Sequence, residues 1–171
     1  MKTVRAWHFV ADSKLLRDGK ELPEVGVWER YGGEVVMCQS GLHASRRPLD
    51  ALQYAPGAWV RYVECRDIVE ECDDKLVCRE RRTIWQMDAT DLLRDFARKC
   101  ALDVVHLWKA PDVVMRYLKT GDESLRAASR DASWDASGDA SGAASWAASR
   151  DASRAKHNRR LTAMLHARRA R

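Results

Sequence analysis

The stretch Trp59–Val69, WVRYVECRDIV, decides how the chain is read. Trp59, Arg61, Val63 and Cys65 alternate with Val60, Tyr62 and Glu64, and a period of two places these sets on opposite faces of a strand. The spacing predicts a half-buried strand. Asp73-Asp74-Lys75 is a turn signal, and Leu76–Met87, LVCRERRTIWQM, continues as a further strand with a possible break near Arg81-Arg82.

Upstream, Thr3–Val10 (TVRAWHFV) is rich in β-branched and aromatic residues and predicts a first strand. Glycines and a proline punctuate residues 19 to 33, leaving short strands at Val25–Arg30 and Glu34–Cys38, with Leu42, His43 and Ala44 just past a strand end. Arg47–Tyr54 reads as a short helix, with Ser45 as cap and Pro48 in the first turn, where its missing N–H costs nothing.

Downstream the period changes. Behind a cap at Asp88 or Thr90, apolar residues fall at 92/93, 96/97, 100/101, 104/105 and 107/108, a stripe wide enough to pack on a sheet. A second helix is expected from Pro111 to Lys119, stopped at Gly121. Strands followed by helices argue an α+β fold: a small, mostly antiparallel sheet with packed helices, followed by a long C-terminal Ala/Ser-repeat helix. The expected division is a globular domain at 1–121, a repeat helix at 122–155 and a basic amphipathic helix at 156–171.

From Ala128 the chain runs in units of four: ASRD, ASWD, ASGD, ASGA, ASWA, ASRD, ASRA. At about 100° per residue, four residues overshoot a turn by about 40°, so the alanine row winds round a helix as a ridge of small side chains. Such a row lets another helix approach closely. Trp134 and Trp146, about 120° apart around the rod, are candidate anchors, with Arg130 and Arg150 beside them. Gly138 and Gly142 each cost about 1 kcal/mol relative to alanine, so continuity of the helix there is open.

The net charge of +5 is uneven. Arg154, Lys156, Arg159, Arg160, Arg168, Arg169 and Arg171 crowd the end of the chain with no acidic residue among them, and acidic residues slightly outnumber basic ones elsewhere. Arg159, Arg160, Arg168 and Arg169 surround a narrow stripe of Leu161, Met164 and Leu165, as in a terminal docking helix or a basic interaction surface. The tip could meet an anionic ligand, an acidic protein or nucleic acid. Five cysteines without C-x-x-C spacing argue against a disulfide framework or a zinc knuckle, and buried free thiols are expected. No metal or cofactor is expected. The opening MKTVRAWHFVADSK lacks the apolar core of a signal peptide, and no apolar run reaches the ~18 residues of a membrane span, so a cytoplasmic protein is expected.

No phosphate loop, dinucleotide fingerprint, nucleophile elbow or H-E-x-x-H occurs. The candidate chemistry is a scattered polar set: His8 on the first strand, Cys38 and His43 around the Ser40-Gly41 turn, Tyr54 after the short helix, and Arg61 and Glu64 on the clearest strand. His43 follows a glycine turn, where it could meet an anion or pair with Cys38 as imidazole and thiolate. The plainer alternative is that it hydrogen-bonds locally and holds its loop. His8, between Trp7 and Phe9, reads as structural. Glu64 reads as solvent-facing, unless buried with a raised pKa.

The residues AWHFV near the start, CQSGLHAS at 38–45 and PLDALQYAPG at 48–57 resemble a domain of uncharacterised phage and prophage proteins. HLW at 106–108 and NRRLTAML at 158–165 resemble chains of that kind with alanine-rich repeats. The resemblance implies a viral or mobile-element origin, and hence the host cytoplasm, and it carries no catalytic residues over. The expected function is non-enzymatic binding of a host protein or a small anionic ligand, with self-association through the repeat helix. The alternatives are a nucleotide-using transferase or hydrolase centred on His43, and nucleic-acid binding through the basic tail.

Overall fold

A computed structural model describes residues 2–16, 19–137 and 146–170, with the side chains of 134–152 outside the description. The described chain forms two compact units, residues 1–90 with 158–171, and residues 91–157.

The first unit is built on five strands: β1 (Val4–Val10), β2 (Trp28–Arg30), β3 (Leu42–Ala44), β4 (Trp59–Glu71) and β5 (Leu76–Asp88). Every pairing is antiparallel. The order is β1-β4-β5-β2, and β3 also pairs with β5. Strands β2 and β3 divide one edge of β5, β3 taking Leu76–Cys78 and β2 taking Glu80–Arg82. Just past β3, Ser45 and Trp7 exchange backbone hydrogen bonds of 2.7 and 2.9 Å, which closes the sheet on itself at that end. Glu34–Cys38 is not a strand; the pairing residues are Leu42–Ala44. Gly41 makes this possible: its φ is +103°, and an added Cβ would lie 2.7 Å from Val77 Cγ2, so the chain turns there in a conformation costly for any other residue.

Closure alters the reading of β4. Val60, Arg61, Val63 and Cys65 have no exposed surface, and Glu64 is 5% exposed. The first half of the strand, Val60–Cys65, is enclosed on both faces rather than half-buried, while Asp67 and Val69–Glu71 are exposed. On the inner side Val4, Ala6, Ala44, Val63, Cys65, Leu76 and Cys78 form an apolar cluster. On the outer side Trp7, Tyr62 and Trp85 are cross-strand neighbours. Their rings meet at centroid separations of 4.7 to 5.7 Å. His166 lies against all three, at 5.2 to 5.8 Å.

His166 belongs to the last helix, α5 (Trp146–Arg169), whose residues from Asn158 onward join the sheet unit. Leu161 and Leu165, one helical turn apart, have no exposed surface. The basic tip is therefore a docked helix with its apolar stripe buried, as i, i+4 spacing allows. The short helix α1 (Pro48–Leu52) shows why it docks. Its N-cap is Arg47, without a side-chain cap, and Ser45, the expected cap, is engaged with Trp7. Instead Asn158 Oδ1 accepts the Leu49 N–H at 2.9 Å, satisfying one of the donors that a helix start leaves unpaired.

The second unit contains α2 (Thr90–Val104), α3 (Asp112–Thr120), α4 (Arg126–Ser137) and the start of α5. Phe96 and Val114 are buried. The apolar stripe tightens into a 3-10 turn at Val105–Leu107 instead of continuing the α2 helix. Gly121 ends α3 with φ 70°, its N–H bonded to the Tyr117 carbonyl at 2.8 Å, as a left-handed cap requires. Asp122 caps a further 3-10 turn by accepting from Ser124 N–H, so α4 starts at Arg126. Gly138 and Gly142, and the side chains of Trp134, Trp146 and Arg150, lie outside the described residues.

Candidate anion-binding site

Cross-strand register places ionic residues on the inner face of the sheet. Arg81 stands opposite Glu29 and Cys65, Thr83 opposite Val63, and Arg61 opposite His8 on one side and Gln86 on the other. These contacts converge. Arg61 Nη2 pairs with Glu29 Oε1 and donates to Thr83 Oγ1 at 2.5 Å, while Arg61 Nε donates to the same hydroxyl at 2.9 Å. Arg81 Nη2 donates to Glu29 Oε2 at 3.0 Å, and Arg81 Nη1 donates to the His43 carbonyl at 2.5 Å. Arg61, Arg81, Thr83 and Glu29 are 0, 2, 1 and 8% exposed.

Two guanidiniums thus share one carboxylate inside the sheet. Burial alone would raise the Glu29 pKa, but Arg81 and Arg61 together hold it below the ordinary carboxylate range. Burial first, and Arg81 second, lower Arg61 to about 10. His8 stays neutral, because burial, then Arg81 and Arg61, push its pKa well below the ordinary value. The cluster therefore carries one positive charge more than it neutralises.

Hydrogen bonding tells the same story. Arg61 Nη1, Arg81 Nε, His8 Nδ1 and Gln86 Oε1 are shut off from solvent and have no hydrogen-bond partner among the described residues. Buried polar atoms in native folds are nearly always partnered by protein, water or ion. Four such atoms lie in one cross-strand neighbourhood, beside the unbalanced charge.

His8 supplies a test of this electrostatic picture. Its folded pKa lies below its unfolded value, so the unfolded chain takes up a proton as pH falls below about 6.5 and the folded chain does not. Stability held above that pH is lost on acidification. Urea denaturation at stepped pH should show stability falling between pH 7 and 5 by up to about 1.4 kcal/mol per unit more than in His8→Asn. Equal slopes in the two proteins would mean that His8 is not held neutral.

The other expected site residues lie elsewhere. Both ring nitrogens of His43 are engaged: Nε2 accepts the Cys38 backbone N–H at 3.0 Å, and Nδ1 faces the Gly41 carbonyl at 3.2 Å. His43 holds its loop, and its link to Cys38 runs through the main chain rather than the thiol. Cys38 is exposed, with φ 65°, and its thiol, ahead of the Tyr54 hydroxyl, holds the Lys75 pKa above its ordinary value. Tyr54 is 53% exposed and donates to Asp74 at 2.5 Å, with Lys75 Nζ over its ring at 4.8 Å. Of the cysteines, Cys65 and Cys78 are buried, Cys38 and Cys72 exposed, and Cys100 intermediate.

Glu64 is buried, not solvent-facing. Burial raises its pKa, but Arg82 and Arg5 outweigh that and hold it low. It lies on the outer face in a ladder of ion pairs, Arg5–Glu64–Arg82 and Arg66–Glu80–Arg30. Trp28 sits in this ladder under Arg66 and Arg82. Arg130, Arg159, Arg168 and Arg169 are exposed and Arg160 partly so; Arg169 also lies 5.9 Å from the Trp85 ring. Among the described residues no group of three or more His, Cys, Asp or Glu could hold a metal ion, and no helix is long and apolar enough to cross a membrane.

With this geometry in view, comparison with known families is informative on one point. Residues 20–95 match the model of a domain of unknown function, DUF7666. The DUF7666 match takes in β2, β3, α1, β4 and β5, and with them Glu29, His43, Arg61, Arg81, Thr83 and Gln86. His8, on β1, precedes it. No curated protein and no solved structure matches the chain.

The cluster was visible only in part: His8 and Arg61 stood in the polar set read from the sequence, whereas Glu29, Arg81, Thr83 and Gln86 look ordinary there. Arg81 sits at a strand position where an arginine usually turns outward, and Glu29 follows Trp28 in a Gly-rich stretch. The one available signal was that Arg61 shares its face with Val63 and Cys65.

Proposed function

We propose that this chain is a non-enzymatic binding protein of phage or mobile-element type, whose sheet unit takes a small anionic ligand between Arg61 and Arg81. The observation that carries the reading is the buried guanidinium pair, both members almost wholly enclosed, sharing one carboxylate and keeping donors unpaired. An anion restores charge balance and supplies acceptors to Arg61 Nη1 and Arg81 Nε. Charge-assisted hydrogen bonds of that kind are roughly twice as strong as neutral ones. The phage origin rests on the sequence resemblance alone. A transferase or hydrolase centred on His43 gains no support from the geometry, since that ring is already engaged on both sides.

The repeat-bearing helices are read as assembly or docking elements toward a protein partner or a second copy, on the strength of their regular small-residue rows. The exposed arginines of the tip could add contacts to an acidic partner or to nucleic acid. The cytoplasm is the compartment this reading implies.

The test of the anion site follows the Arg81 Nε–H resonance by NMR while sodium acetate is added against a constant-ionic-strength chloride background. A saturable shift is expected, weakened at least tenfold in Arg61→Lys, which keeps the charge but loses the forked donors. A resonance that moves only linearly, or not at all, would refute the site.

A further inference from the structure

The outer face of the sheet carries a second charged surface, separate from the enclosed Arg61–Arg81 pair. Its rows follow from register. Arg5, Glu64, Arg82 and Trp28 stand opposite one another across β1, β4, β5 and β2, and Arg66, Glu80 and Arg30 form the row beside them. Neighbouring strands lie about 4.8 Å apart and alternate residues of a strand roughly 6.7 Å apart, so the two rows make one patch. Its charges are layered. The Glu64 and Glu80 side chains are 7 and 20% exposed, whereas those of Arg66, Arg82, Arg5 and Arg30 are 26, 40, 53 and 71% exposed. Two carboxylates lie beneath four guanidiniums, and the solvent side is positive.

The docked tip extends this surface. Trp85 stands opposite Tyr62, in the row on the other side of Glu64 and Arg82, and the exposed Arg169 lies 5.9 Å from its ring. Toward the far end of the hairpin the charges are matched, Asp67 by Arg79 and Glu71 by Arg46.

The patch offers more than charge. Arg66 lies 3.8 Å and Arg82 4.8 Å from the centre of the Trp28 ring. A guanidinium spread on an indole has a second plane, on which a nucleobase stacks. Its edge donors fit phosphate oxygens in a fork. The ion pairs and the indole position these guanidiniums before any partner arrives, so little side-chain freedom is lost on contact. An acidic peptide matches the charge but brings no ring for that plane, and a duplex keeps its bases in the stack.

We infer that this face binds single-stranded nucleic acid, with phosphates on Arg5, Arg30 and Arg82 and a base stacked on Arg66. The inference is independent of the anion site.

Fluorescence anisotropy of a labelled oligothymidylate of about twelve nucleotides, titrated with the full-length protein over a salt series, tests it. At physiological salt the oligothymidylate is expected to bind more tightly than a duplex of equal length or poly-glutamate. In the double variant Arg5→Ala, Arg30→Ala, Glu64 keeps Arg82 and Glu80 keeps Arg66. There the slope of log affinity against log salt should become shallower by about 1.4, two phosphate contacts at about 0.7 each. Arg126→Ala, exposed in the helical unit, should keep the wild-type slope. A wild-type slope in the double variant would put binding on the tail alone and overturn the inference. So would absent binding of the oligothymidylate, or equal or tighter binding of duplex or poly-glutamate. Should the double variant not fold, the wild-type ranking of the three probes decides. The acetate titration of the anion site reads separately from every one of these outcomes.

Discussion

Glu29→Gln is expected to destabilise the protein by about 3–5 kcal/mol, the cost of removing one partner from a buried ion pair. The amide can still accept hydrogen bonds, so shape is nearly kept and charge is what changes. Two enclosed guanidiniums would then face each other with no counter-ion. Denaturant titration at pH 7 measures the loss. The same electrostatics fix its pH dependence. Because Arg81 and Arg61 hold the Glu29 pKa below its ordinary value against the effect of burial, its stabilisation is present above about pH 4.5 and is lost as pH falls through the lower folded value. Wild-type and Glu29→Gln stabilities should therefore converge in acid. Millimolar acetate should also recover part of the variant's loss at pH 7, since the ligand would take over as counter-ion. A change under 1 kcal/mol would mean that solvent reaches the cluster.

Leu165→Ala is expected to cost about 2–5 kcal/mol, the range for truncating a buried leucine, and Leu161→Ala a similar amount. Both side chains are fully enclosed in the sheet unit, although they lie among the last eleven residues of the chain. Asn158→Ala should add about 1 kcal/mol by exposing an unpaired donor at the start of α1. Exposed Arg168→Ala serves as the control and should lie within about 0.5 kcal/mol of wild type. If truncating the leucines left thermal stability unchanged, the tail would be a free basic arm and the docked helix would be wrong.

The two results bear on how far sequence alone reaches. Period and turn chemistry made β1, β4 and β5 legible, and likewise α3 with its glycine stop. What local pattern could not show was closure. The Trp7–Ser45 pairing joins residues 38 positions apart, and with it the first half of β4, Val60–Cys65, becomes enclosed rather than half-buried. That single long-range contact also decides the site, because it turns the face bearing Arg61 inward. Asn158 capping a helix 109 residues away is a pairing of the same kind, set by tertiary structure. His8 was visible as a candidate but not its role, which depends on Arg61 and Arg81 beside it. His43 was legible as a loop-holding residue because its partners lie within five residues.

The account rests on an anion belonging between Arg61 and Arg81. A crystal structure of the full chain grown in bromide, with anomalous scattering recorded at the bromine edge, asks this most directly. The account predicts a bromide peak in hydrogen-bonding range of Arg61 Nη1 and Arg81 Nε. Water alone at those atoms, or guanidiniums turned onto protein carbonyls with no bromide beside them, would contradict it.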